Sequence, residues 1–173
     1  MIRRLRTLTA DRRGAIIVEL ALVAPVLATM VIGVVDMSNA FSRKLALEQG
    51  AQRAIEMIMQ TTNDKTVEGA LKSEAVCQVN GMTSGVCNTT PITVSDVTVT
   101  YRKECTSAGG AVTSTSNTDP AVVDAVTCAV GPGSNFILVR VVDKYTPIFP
   151  WHFAGIDTDG TYHISATAGM RMS

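Results

Sequence analysis

The sequence is poor in charged and aromatic residues. Only 17% of its 173 residues are charged and 5% are aromatic, and its 15 basic residues are balanced by 15 acidic ones. No stretch after residue 13 repeats the arginine density of the N-terminus. A strongly basic nucleic-acid-binding domain is therefore excluded. Disorder throughout is excluded as well, because 46% of the residues are apolar and the charge density is low.

Groups that commonly carry catalysis or bind metals are also few. His152 and His163 are isolated, and no C-x-x-C pair occurs. Asp157-Thr158-Asp159-Gly160 begins like a calcium loop but lacks its later acidic ligands, so it predicts a turn between strands. Gly131-Pro132-Gly133 likewise predicts a turn and not a phosphate site. We therefore expect a protein that is not an enzyme, with no catalytic residue, cofactor or metal.

One long apolar segment dominates the N-terminal part. From Ala15 to Val35 the only charged residue is Glu19, and a helix of this length spans roughly 31 Å, which matches a bilayer core. No face of the segment is polar, which favours a membrane helix over a buried core helix. The preceding arginines predict a cytoplasmic N-terminus and an exported remainder; they are Arg3, Arg4, Arg6, Arg12 and Arg13.

Export agrees with the cysteines, which are even in number and all follow the apolar segment. They are Cys77, Cys87, Cys105 and Cys128. In an oxidising compartment they predict two disulfides, although three pairings are possible. The shortest loops come from Cys77 with Cys87 and Cys105 with Cys128, each of which would stabilise the fold by about 2–4 kcal/mol. A structural zinc site is the alternative.

Glu19 is the feature that ordinary export signals do not require. Two ordinary explanations of this N-terminus remain. One is a cleavable signal peptide with a cleavage site at Ser38-Asn39-Ala40, and the other is a plain membrane anchor. A carboxylate in an apolar helix is costly, so it lies near the interface or meets a specific partner. Arginines, then Gly14, then a glutamate at the fifth position after it resemble a type IV prepilin processing site.

The run RRGAIIVELALVAPVLATMVIGVVDMSNAF resembles the N-terminal region of the TadE-like family, the minor pilins or pseudopilins of the Tad (Flp, type IVc) pilus system. Leu20 departs from the family's usual aromatic residue. LVRVVDKYTPIF and ISATAGMRMS resemble the family's closing strands. The matching positions are Arg13, Gly14, Ala15, Glu19, Ala21, Leu22, Val23, Pro25, Gly33 and Asp36.

The resemblance implies processing and assembly. An inner-membrane prepilin peptidase would cut after Gly14, and Ala15 would become the new N-terminus. Glu19 would then pair with the amino group of a neighbouring pilin subunit and fix the register. Partners would be other pilin subunits, the peptidase, the inner membrane and the Tad/Flp assembly machinery. Two alternatives remain open: an uncleaved bitopic protein accessory to pilus assembly, and a membrane-anchored periplasmic binding or enzymatic domain.

The whole chain is predicted to be α+β, with a long N-terminal hydrophobic helix that continues into an exported, disulfide-tied domain with a small antiparallel sheet. We divide it into a basic leader (1–14), a transmembrane and polymerisation helix (15–36) and an exported pilin-like domain (37–173). Apolar spacing of three and four continues the first helix to about Gln60, and Pro25 predicts a bend near Ala21.

Shorter elements follow the long helix. Thr61 to Asp64 caps a second helix that runs through Ser73. Thr106 to Pro120 reads as a surface loop, and Trp151 with its aromatic and proline neighbours reads as core packing or a partner-binding patch. Alternating apolar residues predict a strand at Ile92–Tyr101, with a slip near Asp96. Further strands are predicted at Val122–Val130, Phe136–Tyr145 and Tyr162–Met172.

Overall fold

The computed structural model describes residues 12–60, 68–148 and 157–172. It confirms an α+β fold with a long N-terminal helix and an antiparallel sheet. In chain order the elements are α1 (Arg12–Gln60), α2 (Glu68–Asn80), β1 (Met82–Thr83), β2 (Val86–Cys87), a 3₁₀ turn (Val94–Asp96), β3 (Val97–Thr106), β4 (Val112–Asn117), α3 (Pro120–Asp124), β5 (Ser134–Tyr145) and β6 (Tyr162–Met172).

Helix α1 is 49 residues long and unbroken, which confirms the predicted extent to Gln60. Its first half is apolar on all sides, whereas its second half carries one apolar stripe that packs into the core through Leu47, Ala51 and Ala54. Pro25 lies inside the helix. The bend that it predicts near Ala21 stays a prediction.

Four antiparallel strands form the main sheet in the order β4-β3-β5-β6. Buried and more exposed residues alternate along β3 and β5, so one face of these strands lies against α1 and α2. Val99 and Val139 are paired across the strands, and Val139 is paired with Ala168 of β6. The two valines are at most 1% exposed, so the helices cover this inner face completely at its centre.

The polar loops differ from the sequence prediction in three places. The strand predicted at Val122–Val130 is wrong, because Pro120 begins α3 and Asp119 accepts a 2.9 Å hydrogen bond from the Ala121 N–H as its N-cap. The surface loop predicted from Thr106 to Pro120 contains β4. The predicted slip near Asp96 is a 3₁₀ turn, in which Asp96 accepts from the Thr93 N–H at 2.8 Å.

Helix α2 extends to Asn80, beyond the predicted end at Ser73. Leu71, Ala75 and Val76 are buried at helical spacing against the core, and this tertiary packing continues the helix. The cap predicted at Thr61 to Asp64 lies outside the described residues.

Gly50 marks a close approach of α1 to α2. A Cβ added there would lie 2.5 Å from Cγ2 of Val79 and 3.0 Å from the carbonyl oxygen of Ala75. We therefore expect Gly50→Ala to destabilise the protein by about 1–3 kcal/mol through overpacking, measured by chemical denaturation. Gly69→Ala in α2 is the matched control, because a Cβ there meets nothing within 4 Å. Equal stability of the two variants would contradict this packing.

The structure forms the two disulfides with the shortest loops. Cys77–Cys87 joins α2 to β2, and Cys105–Cys128 joins β3 to the segment after α3. Their sequence separations are 10 and 23 residues. The predicted zinc alternative is not what the cysteines form.

The longer disulfide loop should contribute more stability. Loop-closure entropy gives about 2.7 kcal/mol for Cys77–Cys87 and about 3.4 kcal/mol for Cys105–Cys128. We expect the double replacement Cys105→Ala/Cys128→Ala to lower the free energy of unfolding more than Cys77→Ala/Cys87→Ala does. Denaturant titration of both variants beside the unchanged chain measures the difference, and the reverse order would contradict the prediction.

Candidate functional site

The stem, which we define as residues Ile16 to Val35 of α1, exposes its apolar side chains in the single chain. The large ones are between 44% and 71% exposed, except Ile32, which is half-buried. The helix is long and apolar enough to cross a membrane, and none of its most apolar window is buried inside the molecule. An exposed apolar surface of this length needs lipid or other apolar helices around it.

Gly14 and Ala15, the predicted processing site, lie in the first turns of α1. Glu19 follows Ala15 by four residues and is therefore about 6 Å farther along the helix axis. Its side chain is exposed and makes no hydrogen bond or ion pair within the described part of the chain. Among the described residues, this carboxylate in an apolar stem thus has no partner.

Asp36 lies where the stem meets the head, which we define as the described residues from Met37 onward. It is only 7% exposed. Its carboxylate accepts hydrogen bonds from the Tyr145 hydroxyl at 3.2 Å and from the Ile148 N–H at 2.9 Å. Tyr145 ends β5, so these bonds tie the end of the stem to the sheet. The sequence identified Asp36 only as a family position and missed this role.

A charged pair and a stacked tyrosine pair also lie at the junction. Asp143, 8% exposed, lies 3.9 Å from the guanidinium of Arg43 on α1. The rings of Tyr145 and Tyr162 stack with centroids 6.3 Å apart. Burial raises the pKa of Tyr145, and its hydrogen bond to Asp36 acts in the same direction. The phenol therefore stays protonated and remains a donor to Asp36.

His163, at the start of β6, lies between two carboxylates. Its ring nitrogens are 3.1 Å from Asp157 and 2.8 Å from Asp159. The hydrogen bond from His163, followed by that from Thr161, holds the pKa of Asp159 well below its usual value. Residues 157–160 form the predicted turn, closed by a 2.9 Å bond from the Gly160 N–H to the Asp157 carbonyl.

This cluster is a surface ion-pair network on exposed side chains. In the described ranges, no group of three or more His, Cys, Asp or Glu side chains is arranged to hold a metal ion. His152 and Trp151, the other residues considered from the sequence, lie outside the described residues.

A comparison with known families concerns the stem and the first turns of the head. Residues 14–55 match the model of the TadE-like protein family. The resemblance stated from the sequence is thereby confirmed over this segment. No curated protein and no solved structure matches the chain.

The TadE-like segment contains the whole stem and the junction carboxylate. It includes Gly14, Ala15, Glu19, Pro25 and Asp36. The donors to Asp36 lie far outside it, at Tyr145 and Ile148. The head therefore joins the family-matched helix through a contact that the match itself does not cover.

Proposed function

We propose that the chain is a structural minor pilin or pseudopilin of a Tad/Flp (type IVc) pilus. A prepilin peptidase would cut it after Gly14, and the stem would then pack among the stems of other pilin subunits. The observation that carries this proposal is the exposed apolar stem, with Glu19 one helical turn after Ala15 and without a hydrogen bond or ion pair to the described residues. The family match over residues 14–55 supports it.

The charge balance of the stem explains why assembly and cleavage belong together. Cleavage would create a free amino group on Ala15 at the start of an apolar helix. In an apolar bundle, an unpaired ammonium or carboxylate costs several kcal/mol. Pairing Glu19 with the Ala15 amine of a neighbour satisfies both groups at one axial offset, so the pair fixes register more than it adds stability.

The proposed topology has the N-terminus in the cytoplasm, the stem in the inner membrane and the head exported. The arginine-rich leader favours this orientation. The two disulfides fit an oxidising compartment outside the cytoplasm. We propose a structural role and not an enzymatic one.

The N-terminus of the purified protein separates the three hypotheses. Ala15 as the first residue supports the pilin, Met1 supports an uncleaved bitopic protein accessory to pilus assembly, and Phe41 supports a head released by signal peptidase. We expect Ala15.

A glycine substitution makes the N-terminal test sharper. Gly14→Leu should retain the leader and begin at Met1, because a bulky side chain would replace glycine at the scissile bond. Gly33→Ala is the matched control in the same helix, where a Cβ meets nothing within 4 Å, and it should still begin at Ala15. Normal cleavage of the Gly14→Leu variant would place the processing site elsewhere.

A further inference from the structure

The main sheet has two edge strands, β4 and β6. Their outer sides make no backbone hydrogen bonds to any other described residue. Proteins usually protect such edges with proline or lysine, yet neither residue occurs in Val112–Asn117 or Tyr162–Met172. Strand β4 has no charged residue at all, and it is exposed along almost its whole length. Within residues 12–60, 68–148 and 157–172, nothing pairs with either edge, so both are open to another strand.

The direction of each strand relative to the stem follows from contacts at the junction. Asp36 meets Tyr145 at the end of β5, so β5 runs toward the stem. Strand β6 begins in a groove that it shares with Met37 and Lys44, so β6 runs away from the stem. Because all neighbours are antiparallel, β3 also runs away from the stem and β4 runs toward it.

An even number of strands thus gives the sheet two edges of opposite direction. If one copy is placed beside another with both stems pointing the same way, β4 of one copy is antiparallel to β6 of the other. Pairing β6 with β6 in the antiparallel sense would instead invert one copy, and its stem would point away from the shared membrane. Only the first arrangement suits a row of subunits anchored in one membrane or one filament.

We propose that the head of this protein binds a second copy of the same chain by pairing β4 of one copy with β6 of the next. The contact rests on the proposed function, because that function supplies parallel stems. It adds a head-to-head contact to the one between stems. The pairing is heterologous, so each copy uses both edges and the contact extends into a row and does not close as a dimer.

The sheet faces restrict the register of this contact. Ser114 of β4 and Thr167 of β6 both lie on the outer face of the sheet. Ser114 is paired with Glu104 of β3, which is paired with Ser134 of β5, and Thr167 is paired with Arg140 of β5. Ser134 and Arg140 are an even number of residues apart on β5, so all these side chains share one face. The β5 residues level with Ser114 and Thr167 are six positions apart, so Ser114 lies about 20 Å farther from the stem than Thr167 does. The two residues of different copies become neighbours when the copies are offset along the stem by that distance. The head contact therefore joins other copies than those joined by the Glu19–Ala15 pair, whose axial offset is about 6 Å. Hydroxyl pairs of this kind stabilise antiparallel strands.

Cysteine cross-linking in cells that carry the full chain tests the proposal. All four native cysteines form disulfides, so a thiol-specific bismaleimide reacts only with introduced cysteines. We expect the Ser114→Cys/Thr167→Cys variant to give a ladder of dimers, trimers and larger species. Either single variant should stay monomeric. Within one copy the two positions are about 25 Å apart, too far for a short cross-linker to join.

The control pairs Ser114→Cys with Thr98→Cys, which is equally exposed on the outer face but lies on the interior strand β3. It should give no ladder. A ladder from this control, dimers from the Thr167→Cys single variant, or no ladder from the edge pair would each overturn the proposal. The N-terminus and the pilus content of the same strains are measured in parallel. A chain that begins at Ala15 and enters pili without cross-linking contradicts the head contact alone, whereas an uncut chain contradicts the proposed function.

Discussion

Replacing Glu19 with Gln is expected to remove the protein from sheared pili by at least about tenfold while leaving it in the membrane. The neutral amide cannot neutralise the Ala15 amine of a neighbouring stem. That amine then stays unpaired in an apolar bundle, at a cost of several kcal/mol, and each 1.4 kcal/mol corresponds to a factor of ten. Immunoblots of the sheared-pilus and membrane fractions, normalised to total protein, measure the effect.

Glu48→Gln is the matched control on the same helix. Glu48 lies in the head part of α1, beyond the apolar stem, so its replacement should leave pilus content unchanged. The Glu19→Gln chain should still begin at Ala15 in the membrane, which separates an assembly defect from a processing defect. Undiminished incorporation of Glu19→Gln would show that Glu19 has no role in register.

Asp36→Ala is expected to lower the stability of the head by about 2–4 kcal/mol. The substitution leaves the Tyr145 hydroxyl and the Ile148 N–H without their acceptor in a partly buried junction, and an unpaired buried donor costs about 1–3 kcal/mol. Denaturation of the full chain in detergent, followed by tyrosine and tryptophan fluorescence, measures the loss.

Tyr145→Phe serves as the graded control for Asp36→Ala. It removes one donor and keeps the carboxylate bonded to Ile148, so its cost should be near 1 kcal/mol. If Asp36→Ala cost no more than Tyr145→Phe, the carboxylate would not be the anchor that joins stem and sheet.

The elements that follow from local patterning were predictable from the sequence. An apolar run of bilayer length and a continued three-and-four spacing define α1. An apolar run identifies β5, and alternation identifies β6, which begins and ends at the predicted residues Tyr162 and Met172. Choosing the pairing with the shortest loops predicted the two disulfides that the structure has.

The elements that depend on tertiary context were missed. Strand β4 is built from Ser and Thr without apolar alternation, and pairing with β3 places it in the sheet. Local capping by Asp119 and Pro120 replaced a predicted strand with α3. The role of Asp36 was invisible because its donors are 109 and 112 residues away in the sequence. The residues of the stem could be predicted because the apolar run that identifies them is continuous in the sequence.

The intact mass of the protein in sheared pili, compared with its mass in membranes, tests the central claim most directly. The account predicts that pili contain a chain that begins at Ala15 and ends at Ser173, with both disulfides formed. A protein found only in membranes, at the mass of the full chain from Met1 to Ser173, would contradict it.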